Sequence, residues 1–212
     1  AQARVSATLD TLIAIQNNQS GQEYYYGKEG FFFHFIGPDG KREASMNSEV
    51  STVDTALLLA GVITAGKYFG GDIQTKANTI FNVVNWDYFL DPSDEQFYHG
   101  WNPDYGLIQQ TWDRPSDETL LVSILAIASD PTNQDFLKAY YGFPRSKNSY
   151  ASASQTFYVY NSYSGSLFTY IFAHCWYDFK KAGTDIPQNV QNARFAVPIN
   201  WWENSKTAAQ AN

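Results

Sequence analysis

Three stretches of this chain are long enough to be helices and apolar on every side, and no other feature limits the possible folds as tightly. They are residues 49–68, which include EVSTVDTALLLAG, residues 117–129, DETLLVSILAIAS, and residues 165–181, GSLFTYIFAHCWYDFKK. A helix apolar all round has to be covered all round. The helical stretches between them look one-faced. Residues 2–17 set Val5, Leu9, Leu12 and Ile13 at helical spacing, a helix runs from about 72 to 85, and a short one from 132 to 141. A final helix is expected from Trp201. An inner ring of buried helices wrapped by an outer ring satisfies both patterns, so the expected class is all-α, of the α/α-barrel kind. A large irregular helical bundle would satisfy them too.

The connections are as informative as the helices. Each apolar helix follows an aromatic loop: Phe31 to Ile36, Tyr98 to Trp112, and Phe157 to Tyr163. The first belongs to a loop over 21–47, where Pro38-Asp39-Gly40 predicts a turn between two short extended pieces. HGWNPDYG predicts two more such pieces, and a Ser-rich loop is expected up to Tyr163. Gly70-Gly71 should end the first buried helix and Asp72 should cap the next. If the inner helices run parallel, the aromatic loops gather at one end, together with Glu49, Asp117 and Glu118 at two helix starts. A helix N-terminus there offers unpaired N–H groups and partial positive charge.

Composition narrows the ligand. With 15 Tyr, 15 Phe and 6 Trp the chain is rich in flat surfaces that stack on sugars or on bases. Its formal net charge of -7 argues against a nucleic-acid partner, which needs a basic surface, and a neutral glycan fits better. The single cysteine, Cys175, excludes a disulfide framework and lies in an apolar run, so a buried inert thiol is expected. His34, His99 and His174 lack metal-ligand spacing, so neither metal nor cofactor is expected. His174 and Cys175 are adjacent on a helical stretch and point about 100° apart, which rules out a protease dyad. Gly-rich phosphate loops are absent. No run of 18 apolar residues exists, and a membrane partner is not expected. The start, AQARVSATLD, has no signal-peptide pattern, as for a cytoplasmic chain or the mature form of an exported one.

GFFFHFIGPDGKRE, NSEVSTVDTALLLAG, the HGWNP loop, DETLLVSILAIAS, SGSLFTYIFAHCWYDF and WWENS occur in that order over about residues 30 to 206. Together they resemble the glucoamylase-like family of bacterial glycoside hydrolases, which includes endo-β-1,2-glucanases and the hydrolase-like domain of cyclic β-1,2-glucan synthases. The resemblance implies an (α/α)6 toroid with short β-hairpins in its loops, a glucan cleft at one end, and anomer-inverting hydrolysis without a cofactor. It also implies a monomer in the periplasm or secreted. About seven helices are expected where a closed toroid needs twelve. The chain is therefore expected to be one domain supplying part of the ring, with further helices lacking at both ends. The family's general base is associated with a segment beyond the ENS motif.

Carried over by position, Glu118 resembles the family's general acid and Glu49 a second acidic residue of the cleft. His34, Trp101, Asp113, His174 and Trp202 match positions that face the sugar or hold the cleft together, and Trp112 is an aromatic neighbour able to desolvate the acid. Inverting hydrolysis needs one protonated and one ionised carboxyl, separated by roughly 6.5–9.5 Å to admit a water. Pro115-Ser116 replaces the aromatic usual just before the acid, so Asp117 is the alternative acid. Glu49 is either functional or a cap partner for Asn47 or Ser48, and Asp113 either positions substrate or caps the 117–129 helix. Asp54, five residues beyond Glu49, is expected off Glu49's face in a hydrogen-bonding role. Two other roles fit the same surface: a glucan-binding protein without catalysis, and a transglycosylase domain of a glucan synthase.

Overall fold

The computed structural model describes residues 1–20, 25–151, 155–163 and 165–211. Residues 21–24 of the expected first loop, 152–154 of the Ser-rich loop, and Ser164 lie outside them. Packing separates two units, Ala1–Asp91 with Phe97–Thr111, and Pro92–Gln96 with Trp112–Asn212.

In the N-terminal unit the one-faced stretch at the start forms α1 (Gln2–Asn17). A two-residue strand, β1 (Val50–Ser51), leads into α2 (Thr52–Phe69), and α3 (Gly71–Asn82) follows at once. Short strands β2 (Leu90–Asp91), the Phe97 end of β3 (Gln96–Phe97), β4 (Gly100–Asn102) and β5 (Gly106–Leu107) complete the order. α2 and α3 are separate because Gly70 and Gly71 take φ of +66° and +52°, values that turn the chain and that side chains resist. The core is aromatic where α1 meets the loop: Phe31 lies 4.4 Å from Phe89 and edge-on to Trp86 at 5.0 Å. Gln16 of α1 and Gln19 just beyond it pin that loop. Gln16 donates to the Gly30 and Ile80 carbonyls, and buried Gln19 bonds Gly30 N–H and Phe31 C=O.

The C-terminal unit contains α4 (Asp117–Ser129), α5 (Gln134–Tyr140), the hairpin β6 (Lys147–Ala151) and β7 (Thr156–Tyr160), then α6 (Phe168–Ile171), α7 (Phe179–Ala182) and α8 (Trp201–Ala211). Buried Leu120, Leu121, Val122, Leu125 and Ala126 cover most of the circumference of α4. Val159 of β7 packs on Tyr170 and on Ala208 of α8. A buried cation ties distant segments together. Arg145, with a fully covered side chain, is 2.8 Å from Asp185 and donates to the Val197 and Tyr140 carbonyls. The rings of Tyr140, Tyr141, Phe143 and Trp201 stand around its guanidinium.

The fold is helix-rich with small sheets, and several expectations need correcting. The helix expected from Glu49 starts at Thr52, because residues 49–51 pair as extended backbone on both sides. Its far end is not covered all round, since Tyr68 is 81% exposed. Gly70, not Asp72, occupies the N-cap of α3, and Asp72 pairs with Lys76 one turn on. The Ser-rich loop contains the β6–β7 hairpin. Residues 165–181 are not one buried helix. They break into α6, a 3-10 turn at Ala173–Cys175 and α7, with Phe168, Ile171 and Trp176 exposed. A continuous helix would send the Ala173 N–H to the Thr169 carbonyl, but it goes to Asp117 Oδ2 at 2.7 Å. Aromatic and β-branched residues, which favour helix weakly, do not resist that break. Cys175 is accordingly exposed, not buried.

Candidate active site

In the N-terminal unit the candidate residues are set by strand pairing. β1 lies antiparallel to β4, Val50 opposite Trp101 and Ser51 opposite Gly100. On its other side His34 N–H donates to the Glu49 carbonyl at 2.8 Å and Ser51 N–H to the Phe32 carbonyl at 3.1 Å. This register brings the His34 and Glu49 side chains together, with Nδ1 3.2 Å from Oε1. Asp54 joins them from the first turn of α2, its Oδ2 3.8 Å from the same Nδ1 and bonded to the Ser51 hydroxyl. The two carboxylates are therefore neighbours across one imidazole, where a single helix through 49–54 would have set them apart. Phe35 stacks on the His34 ring at 4.1 Å. Ser51, not Glu49, caps α2. Trp101 is 7% exposed within its sheet, with Lys28 Nζ 5.9 Å from the ring centre.

In the C-terminal unit a second cluster forms at the start of α4. Ser116 is its N-cap, accepting the Thr119 N–H, so Ser116 and not Asp113 does the helix-capping job. Asp117 is 3% exposed and accepts the Ala173 N–H. Burial pushes its carboxyl up to about 7, partly opposed by that hydrogen bond and assisted by neighbouring Glu118. Glu118 itself is half-buried. Trp112, 7% exposed, meets Tyr163 edge-on at 5.9 Å, and the Arg114 guanidinium lies 5.7 Å from the same ring. Burial and the exposed carboxylate of Asp113 hold the Tyr163 phenol protonated. Trp112 thus contacts Tyr163, and Asp113 and Glu118 act on its phenol through their charge; the sequence marks Tyr163 only as one more loop aromatic.

A third group lies on the 173–180 turns and α8. His174 Nε2 is 2.9 Å from the Ser205 hydroxyl, and its ring is 4.7 Å from Phe179 and 5.7 Å from Trp202. Burial lowers its pKa. With Tyr177, Asp178, Lys180 and Trp202 it lines a cavity of about 220 Å³. A larger cavity of about 580 Å³ is walled mainly by Ile124, Ile127, Leu137, Tyr177 and Ile186. Its carboxylate, Asp185, is taken up by Arg145, the Ile199 N–H and Trp201. Among the described residues no three His, Cys, Asp or Glu are grouped to hold a metal ion, and no helix is long and apolar enough to cross a membrane.

No protein-family model matches the chain, and no curated protein does. Among solved structures it is similar to a "putative glucoamylase from Bacteroides caccae ATCC 43185", with a TM-score of 0.66 and 16% identity over 98% of this chain. The match covers 49% of that protein, so the chain spans about half the length of the structure it resembles. At that identity the likeness establishes fold and not activity: this chain folds as about half of a glucoamylase-like protein does.

Proposed function

We propose that the chain is a glycoside hydrolase acting on a β-glucan, with β-1,2 linkages favoured, by inverting acid–base hydrolysis, and that its helices form part of an α/α toroid. The observation that carries the reading is the start of α4. There Glu118 lies half-buried next in sequence to the buried carboxyl of Asp117, and Tyr163, which packs edge-on to Trp112, is near enough for the charges of Asp113 and Glu118 to raise its pKa, in a glucoamylase-like fold. Glu118 is the general acid in this reading. Asp117 has the pKa for that role but not the reach, since it is covered and its Oδ2 is held by Ala173. Glu49, held with Asp54 against His34, is a second acidic residue of the cleft and not the general base. His34, Trp101, Trp112, Asp113, His174 and Trp202 contact the sugar or support the residues that do. The substrate is an uncharged oligo- or polysaccharide, no cofactor takes part, and the protein acts as a monomer in the periplasm or outside the cell.

Incubation of the full-length protein with a panel of β-linked glucans, with products read by thin-layer chromatography, tests the activity directly. Glu118→Gln should keep the fold and glucan affinity while costing at least ~10²-fold in turnover. An activated aryl glucoside, which needs little protonation, should lose much less. Equal losses on the two substrates remove Glu118 from the acid role. Glucan binding without products from the unmodified full-length protein marks a binding protein, and lengthened or cyclised products mark a transglycosylase.

A further inference from the structure

His174 can accept a hydrogen bond from a ligand only if one ring nitrogen is free of its proton, and a buried serine decides which. Ser205 is 7% exposed on α8, and its hydroxyl donates to the Trp201 carbonyl at 2.9 Å. A hydroxyl has one proton. Having given it to Trp201, Ser205 can only accept from His174 Nε2, which is 2.9 Å away. With the Ser205 proton directed to Trp201, a neutral imidazole carries its proton on Nε2 and its lone pair on Nδ1. Burial lowers the pKa of His174, which favours that neutral form. The ring forms part of the 220 Å³ cavity beside Trp202, and Lys180 Nζ is 5.7 Å from the centre of the Trp202 ring. With the Nε2 edge turned to Ser205, the Nδ1 edge is the one left for a ligand. An acceptor next to an indole suits a hydroxyl-bearing ring, which can stack and donate at once.

We propose that Ser205 is a positioning residue that holds His174 in its Nε2–H tautomer, so that Nδ1 accepts a hydrogen bond from a hydroxyl of a bound sugar stacked near Trp202. The ligand half of this rests on the glucan reading, and the tautomer half does not. Long-range ¹H–¹⁵N correlation on the ¹⁵N-labelled chain, with His174 assigned by its loss in His174→Gln, reads the tautomer without any ligand or serine variant. A single Nε2–H species with a slowly exchanging proton is expected. Ser205→Ala should give averaged tautomer shifts, lose the slow proton, and bind β-glucan oligosaccharides ~5-fold more weakly, the worth of one net hydrogen bond. Ser205→Thr, which keeps the hydroxyl, should restore both. An Nδ1–H species in the unmodified chain overturns the proposal. So does a Ser205→Ala variant with altered tautomer shifts and unchanged affinity. If no glucan binds the unmodified chain while the Nε2–H signal is present, the glucan reading fails and takes the ligand half with it, and the tautomer assignment stands.

Discussion

At Asp117 two physical effects oppose each other, and burial wins. The first turn of a helix favours a carboxylate and the Ala173 N–H favours it further, yet removal from water raises the pKa from 3.8 to about 7. A folded-state pKa above the unfolded one means that this group's contribution to stability is fully present below about pH 4. It is lost as pH rises towards 7, and is constant above that. The whole loss is on the order of 4 kcal/mol. Urea unfolding at several pH values from 4 to 8 should therefore show the unmodified chain weakening relative to Asp117→Asn, whose amide keeps an acceptor for Ala173. Parallel pH profiles for the two proteins would refute the assignment. A sequence can show that Asp117 opens an apolar helix. It cannot show that the backbone of residue 173 arrives to meet it, and that encounter breaks the expected 165–181 helix. His34 and Asp54 teach the same lesson. They are 20 positions apart and become neighbours only because Phe32–His34 pairs with residues 49–51.

Local chemistry sets the ends of the elements. Ser116 and Ser51 each accept the N–H three residues ahead, at the starts of α4 and α2. Ser116→Ala should cost about 1 kcal/mol in urea denaturation, the usual worth of such a cap, and no loss would assign the capping elsewhere. The α2–α3 contact is limited by space. A Cβ on Gly66 would come within 2.8 Å of the Ala77 Cβ. Gly66→Val should destabilise by about 1–3 kcal/mol through overpacking, visible as a lower denaturation midpoint at unchanged slope. Strong signals were legible in the chain: the one-faced spacing of α1, the Gly70-Gly71 break, and the continuous apolar run of α4. Weak ones misled. TFYVY alternates as a strand should, but its Ser-rich surroundings read as loop. An all-apolar run rich in Phe, Tyr and Trp fits a series of packed turns as well as it fits a helix.

At the scale of the molecule, segments far apart in the chain depend on single contacts. Arg145 joins residues 140, 185 and 197 through one covered guanidinium. Arg145→Met leaves Asp185 buried without its cation, and should cost roughly 3–5 kcal/mol by thermal or urea unfolding. A change under 1 kcal/mol would show that Asp185 is solvated without Arg145. Ligand binding also acts on the whole molecule. An oligosaccharide bound to the folded state at 100 times its Kd adds about 2.7 kcal/mol, which in a chain of this size raises Tm by roughly 5–10 °C. A melting scan across β-linked glucans should show that rise for the preferred linkage, and a flat scan would count against the glucan reading.

The sequence by itself determined what depends on neighbours in the chain. It set which stretches are apolar all round and which on one face, where glycines turn the backbone, an acidic aromatic-rich balance suited to uncharged rings, and the order of motifs that carries the family resemblance. Only the tertiary structure decided what depends on partners dozens of positions away. It paired Glu49 and Asp54 with His34, gave the helix cap to Ser116 in place of Asp113, took Asp117 out of water, exposed Cys175, and set Ser205 against His174. The difference is physical. Periodicity and turn chemistry are local energies summed along the chain, whereas a pKa, a tautomer or a broken helix is set by which groups share a low-dielectric space once the chain has closed on itself.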